Sequence, residues 1–173
     1  MRVTSLDVRR TAFGDPVAQR LVAELQAEFV VRYGQPDRTP LDPTMFDPPT
    51  GAFFVGWSGS EPVAMGGWRR RTDVPALGGS VVTEAKRMYV VPAARGRGLS
   101  RLLLAHLEET AAASGADVMV LETGSKQPEA IALYESSGYV PIPGFGLYKD
   151  SPGNRCFGKP LAGEAGLRAS RAG

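Results

Sequence analysis

The stretch Met88-Tyr89-Val90-Val91-Pro92-Ala93-Ala94-Arg95-Gly96-Arg97-Gly98-Leu99-Ser100 decides how this chain is read. A β-prone run stops at a proline, a glycine-rich turn follows, and a segment of apolar periodicity opens at Leu99. That order predicts a strand, a tight turn and the first turn of a helix. The amides that open a helix have no partner inside it and lie at the positive end of its dipole. A turn placed there is a ready anion site, and Gly96 and Gly98 lack the β-carbons that would hold a phosphate away from the backbone. Arg95 and Arg97 add positive charge. Two familiar phosphate loops do not fit: no Gly-Lys-Ser/Thr is present after four spacers, and Arg101 occupies the third small-residue position of the dinucleotide fingerprint counted from Gly96. A plain strand–helix connection would use the same residues, so the turn alone does not establish a ligand.

The surrounding chain reads as a regular succession. Asp15 caps and Pro16 opens a first helix that Gly34 ends, with Ala18, Leu21, Val22, Leu25 and Phe29 on one apolar face. Residues 35–51 hold Pro36, Pro40, Pro43, Pro48 and Pro49, too many for a regular element beyond a short helical turn. Strands are expected over 52–57 and 62–70, joined by Ser58-Gly59-Ser60-Glu61, and a third over 81–91. A helix then runs from the glycine-rich turn to about Ser114, with Gly115 as its stop. A strand over 117–122, a helix opened by Pro128 and closed by Gly138, and short strands over 139–142 and 155–159 complete the pattern. Strands first, then strands alternating with helices, argue for a mixed α/β sheet in a single domain over residues 1–161, with 162–173 as a flexible tail.

Composition narrows the function classes. The 173 residues include 21 glycines and 14 prolines, about a fifth of the chain, yet 43% are apolar, which is enough for a core. The net charge of +2 conceals a basic middle: from Ser60 to Arg101 there are eight Lys/Arg against three Asp/Glu. Such a segment suits an anionic partner, and a solvated face explains it equally well. It lacks the interleaved aromatics of a nucleic-acid surface, so no nucleic-acid partner is expected. A single cysteine, Cys156, excludes an intrachain disulfide and a thiolate metal cluster, and no metal site is expected. The N-terminus has no apolar stretch before its charges, and no run approaches the length of a membrane span, so the expectation is a cytoplasmic protein with no membrane partner.

A second motif adds to the first. Ala130-Ile131-Ala132-Leu133-Tyr134-Glu135-Ser136-Ser137-Gly138-Tyr139 follows the glycine-rich turn after one helix and one strand. Together the two resemble the GNAT (GCN5-related) N-acetyltransferases. Arg95-Gly96-Arg97-Gly98-Leu99-Ser100 is similar to that family's Q/R-x-x-G-x-G/A signature, with Ser100 in place of the usual Gly or Ala. The resemblance covers roughly residues 52–161 and implies a mixed, mostly antiparallel sheet flanked by helices, with a splayed pair of parallel strands over 81–91 and 117–122.

The resemblance also implies acetyl-CoA as cosubstrate and a primary amine as acceptor, which attacks the thioester directly. Backbone groups of Met88, Tyr89, Val90 and Val91 would pair with the pantetheine arm like an added strand. Amides from Arg95, Gly96, Arg97, Gly98, Leu99 and Ser100 would hold the pyrophosphate. The family often has Asn where Gln127 stands, contacting the cofactor arm, and with Pro128 as the first helical residue Gln127 could instead serve as the cap.

An amine attacks a thioester only when neutral, so a base must take its proton. Glu84, four residues before Met88, stands where many family members place that base, and the other reading is a strand carboxylate paired with Lys86 or Arg87. Tyr134 matches the family tyrosine that protonates the departing thiolate, and its other reading is a core tyrosine beside Ala130 and Leu133. A backbone amide near Met88 or Tyr89 would face the oxyanion. Asp37, Asp42 and Asp47 suit a cationic acceptor or a solvated loop, and Pro143-Gly144-Phe145-Gly146-Leu147-Tyr148 could cover the acceptor. His106 and Cys156 carry no expected role. Acceptors among amino acids, polyamines and antibiotics are all compatible, as is a protein N-terminus or lysine. The alternative class is an acyl-CoA-binding sensor or partner subunit without turnover. A homodimer is the common assembly of the family.

Overall fold

A computed structural model describes residues 5–161, and the tail expected over 162–173 lies outside the described residues. Its elements in chain order are β1 (Asp7–Arg10), α1 (Pro16–Tyr33), β2 (Gly51–Ser58), β3 (Glu61–Arg71), β4 (Val82–Val90), α2 (Leu99–Ala113), β5 (Val118–Gly124), α3 (Pro128–Ser136), β6 (Val140–Pro141) and β7 (Asn154–Pro160). The seven strands form one mixed sheet in the order β1-β2-β3-β4-β5-β7-β6. β1 with β2, β2 with β3, β5 with β7 and β6 with β7 pair antiparallel, and β4 with β5 pair in parallel. The expected mixed sheet with one parallel pair is therefore present. The residues group into two compact units, one comprising the chain through Arg69 with Lys86–Leu107, the other Arg70–Ala85 with the chain from Glu108.

In the first unit, local chemistry sets the ends of α1. The Asp15 carboxylate accepts from the Val17 amide at 2.8 Å, Pro16 occupies the first helical position, and Gly34 closes the helix in the left-handed region at φ +77°. The buried face of α1, Ala18, Leu21 and Leu25, packs with Phe46, Phe53, Val55, Met65 and Tyr89. Burying one such leucine contributes about 2 kcal/mol. Alternation along β2 sends Phe53 to this cluster and Phe54 the other way, edge-on to His106 of α2 at 4.7 Å. Helices on both faces explain why 51–56 reads as an uninterrupted apolar run. Backbones approach closely at Gly67, where a β-carbon would lie 2.7 Å from the Ala52 carbonyl oxygen.

β1 was not foreseen. Its sequence Asp-Val-Arg-Arg is polar and mostly exposed, because it is an edge strand whose charges discourage further pairing. Val8, with Leu6 just ahead of the strand, packs on the apolar side, and the Arg9 guanidinium lies 5.0 Å from the Trp57 ring centroid.

In the second unit, β4 and β5 pair from Val82↔Val118 to Glu84↔Val120, over a core of Val74, Ala76, Val82, Val118, Val120, Phe145 and Cys156. Asp117 aligns the start of this pair: its carboxylate accepts from the amides of Ser80 (2.8 Å) and Val81 (2.9 Å), and its own amide donates to the Val81 carbonyl (3.0 Å). Those two donated bonds hold its carboxyl below the usual carboxylate range. A carboxyl whose pKa is lower folded than unfolded stabilises the fold above about pH 3.9, and that contribution disappears as pH falls through the folded value. Thermal unfolding of Asp117→Asn is accordingly expected to show a lower Tm than the parent at pH 7, with the gap narrowing as pH is taken from 5 towards 3. A gap that does not depend on pH contradicts this role.

Candidate functional site

In the first unit, β4 ends where the ladder can no longer continue. Pro92 begins a single 3₁₀ turn, Pro92–Ala94, in which the amides of Ala94 and Arg95 donate to the carbonyls of Val91 and Pro92. Gly96 and Gly98 then take φ +74° and +75°, values that favour glycine, and they bring the chain to Leu99, the first residue of α2. Leu99 is buried and anchors that end of the helix, while 95–98 are exposed. A β-carbon built on Gly96 or on Gly98 meets no atom within 4 Å. The turn is thus glycine for its backbone angles and for open approach, at the start of a 15-residue helix whose dipole favours an anion there. These residues fit a pyrophosphate.

The two arginines of the motif separate in role. The Arg95 guanidinium donates to the Val90 carbonyl (2.9 Å) and to Glu28 of α1 (2.7 Å), and lies 5.6 Å from the Tyr89 ring centroid. Its charge is engaged within the protein, as is its amide. Arg97 is exposed. Tyr89 donates its hydroxyl to Glu24 at 3.3 Å, and burial followed by the charges of Glu24 and Glu28 pushes its pKa up.

In the second unit, Glu84 is 2% exposed. Both its carboxylate oxygens lie 3.1–3.2 Å from Arg71 Nη1, whereas the sequence had suggested Lys86 or Arg87 as its partner. Arg71 is held in turn by Asp73 through Nε and Nη2, each at 2.8 Å, and stacks over Phe145 with its guanidinium 5.5 Å from the ring centroid. The 13-residue separation of Arg71 and Glu84 gives no periodic signal, which is why sequence reasoning missed the pair. Tyr134 is buried on α3 with the rings of Tyr139 and Phe157 at 5.9 and 6.2 Å. Burial pushes its pKa up to about 12, so the phenol keeps its proton. Gln127 occupies the cap position of α3, with Pro128 following, yet its side chain makes no capping hydrogen bond. That leaves the cofactor-arm reading of Gln127 with its side chain uncommitted to the cap.

Two of the three loop aspartates have structural work. Asp37 pairs with Arg87 at 2.7 Å, and Asp42 caps the 3₁₀ turn Pro43–Phe46 by accepting from the Thr44 amide and hydroxyl. Asp47 is exposed. Cys156 is buried and accepts from Asn154, and burial pushes its thiol up, against a thiolate nucleophile. Among the described residues no helix is long and apolar enough to cross a membrane.

Comparison with known proteins bears on the fold and the family. The sequence model of the acetyltransferase (GNAT) family matches residues 18–139. An Azospirillum brasilense protein named IAA acetyltransferase is 42% identical over 78 residues, 45% of this chain, and the match spans about half (51%) of that protein. The uncharacterized N-acetyltransferase YjgM of Escherichia coli K12 is 31% identical over 141 residues, covering 78% of this chain and 81% of its own. Among solved structures, a Klebsiella pneumoniae protein provisionally described as an acyl-CoA N-acyltransferase superposes with TM-score 0.70 at 30% identity, over 90% of this chain and 97% of its own. An Elizabethkingia anophelis GNAT acetyltransferase with acetyl-CoA bound superposes with TM-score 0.63 at 15% identity, over 90% and 98%, which speaks to the fold.

The buried pair at Glu84 gives a stability prediction. Arg71→Met is expected to cost about 3–5 kcal/mol, because it removes the guanidinium paired with a buried carboxylate. Arg71→Met with Glu84→Gln should recover most of that loss in urea unfolding. Equal destabilisation in both variants contradicts the pairing.

Proposed function

This chain belongs to the acetyltransferase (GNAT) family, and on that footing we propose that it transfers the acetyl group of acetyl-CoA to a small primary amine. The observation that carries the reading is the open glycine turn Gly96–Gly98 ahead of α2, a cradle for a pyrophosphate at the end of an inner strand. In this reading the amides from Gly96 to Ser100 bind the pyrophosphate and Arg97 adds charge. Arg95 acts as a brace, tying β4 to α1 rather than reaching the phosphates. Backbone groups of Met88 to Val91 align the pantetheine arm, and the Gln127 side chain contacts it. The thioester supplies an activated acyl group, and the protein supplies orientation and proton handling.

Glu84 draws the proton from the acceptor ammonium, directly or through a water, and the Arg71 pair holds that carboxylate in place. Tyr134 faces the leaving sulfur as a neutral donor. A phenol near 12 lies about 3.5 pH units above a thiol near 8.5, so complete transfer is uphill by about 5 kcal/mol. Tyr134 therefore acts best by donating its hydrogen bond as charge builds on sulfur, with the proton following only in concert. A small amine is favoured because Asp37 and Asp42 are engaged in holding the loop, which leaves fewer carboxylates among 35–51 to meet a basic peptide.

The test is thiol release from acetyl-CoA across a panel of amino acids, polyamines and aminoglycoside-type amines. Tyr134→Phe is expected to lower kcat about 100-fold, with little change in the KM for acetyl-CoA. Gly98→Ala, which places a β-carbon in the cradle, is expected to weaken CoA binding about tenfold or more by calorimetry. Wild-type protein that binds no acetyl-CoA overturns the reading. Tight binding with no thiol release from any amine supports the sensor class instead.

A further inference from the structure

Within the first unit, the backbone of β4 departs from an extended strand at one residue. Arg87 takes φ +58°, a conformation that long side chains rarely adopt and that persists only where the surroundings enforce it. Its side chain is 3% exposed, and its Nη1 lies 2.7 Å from the Asp37 carboxylate. The Nε of Arg87 has no hydrogen-bond partner among the described residues, so Asp37 is the ion pair that compensates this buried charge.

Asp37 is itself fixed from three sides. One carboxylate oxygen accepts from the Thr39 amide (2.8 Å) and hydroxyl (2.7 Å). The Asp37 amide donates to Gln26 Oε1 of α1 (2.8 Å), and its carbonyl accepts from Gln26 Nε2 (3.3 Å). Burial pushes the carboxyl up, but the Thr39 bonds, with the charges of Arg87 and Lys86, outweigh it and hold it below its ordinary value. One ion pair between residues 50 apart in sequence thus joins α1, the start of the proline-rich segment and the kink of β4.

A left-handed residue inside a strand re-aims the peptides after it. Those peptides are Met88 to Val91, the segment assigned above to the thioester arm. We infer that Asp37 is a positioning residue for acetyl transfer: by holding Arg87 it maintains the kink of β4, and so the direction of the peptide groups that meet the acyl group. This inference rests on the proposed function. Its effect should fall on the transfer step, since small errors in donor direction act on the transition state more than on cofactor binding.

Asp37→Asn keeps the Thr39 and Gln26 bonds and removes the charge. It is expected to lower kcat about tenfold, part of the loss seen when a preorganised donor is removed outright, with the KM for acetyl-CoA within about twofold. Amide hydrogen exchange across Lys86–Val90 should rise in the same variant. Because Asp37→Asn leaves a buried guanidinium uncompensated, a second variant, Asp37→Asn with Arg87→Gly, removes that charge and tolerates positive φ. It should remain folded and still show the loss in kcat, since glycine does not hold one conformation. Arg87→Lys, which keeps a charge opposite Asp37, should retain most of kcat. The inference is overturned if the folded double variant keeps wild-type kcat, if acetyl-CoA KM rather than kcat changes, or if exchange at Lys86–Val90 is unaltered in Asp37→Asn. Should wild-type protein release no thiol with any amine, the functional reading fails, and the exchange measurement alone decides whether the tether exists.

Discussion

Burial of charge on an inner strand is the constraint from which much of this structure follows. β4 lies between β3 and β5 and carries Glu84 and Arg87, both more than nine-tenths buried. An ionised group taken from water costs several kcal/mol unless a counter-charge and hydrogen bonds replace the solvent. Each therefore has a partner brought from elsewhere in the chain, Arg71 for Glu84 and Asp37 for Arg87. These partners fix more than charge. Arg71 also holds Asp73 and covers Phe145, and Asp37 also fastens Thr39 and Gln26. Two compensated charges thereby set the conformation of two loops.

The glycine turn ahead of α2, under the proposed function, answers a different demand. A phosphate needs several amides in one direction and no side chain in the way, and a helix start supplies the amides at no conformational cost beyond the helix itself. Gly96 and Gly98 keep the approach open, while Leu99, buried below them, secures the helix end. Arg95 shows how a motif residue can serve the frame instead of the ligand: its guanidinium spans from the Val90 carbonyl to Glu28, bracing strand against helix.

Much of this was legible from sequence where the signal is local. The caps of α1, the proline stop of β4 and the glycine turn follow from the backbone preferences of single residues. The two motifs, Arg95 to Ser100 and Ala130 to Tyr139, carried the family and with it the parallel pairing of β4 with β5. β1 escaped because an exposed edge strand carries charges where the reading looks for apolar alternation. The partner of Glu84 escaped for another reason: Lys86 and Arg87 were nearer in sequence, but Arg87 pairs with Asp37, and Arg71 reaches Glu84 instead.

Sequence by itself determined the succession of elements, the family motifs and the glycine turn ahead of the helix, because each depends on residues close together in the chain. Tertiary structure alone decided which charges neutralise which. Asp37, read as suiting a cationic acceptor or a solvated loop, became the counter-ion of Arg87, and burial raised the pKa of Tyr134 further. Ion pairing and desolvation depend on distance and dielectric in space, and neither is a property of spacing along the chain.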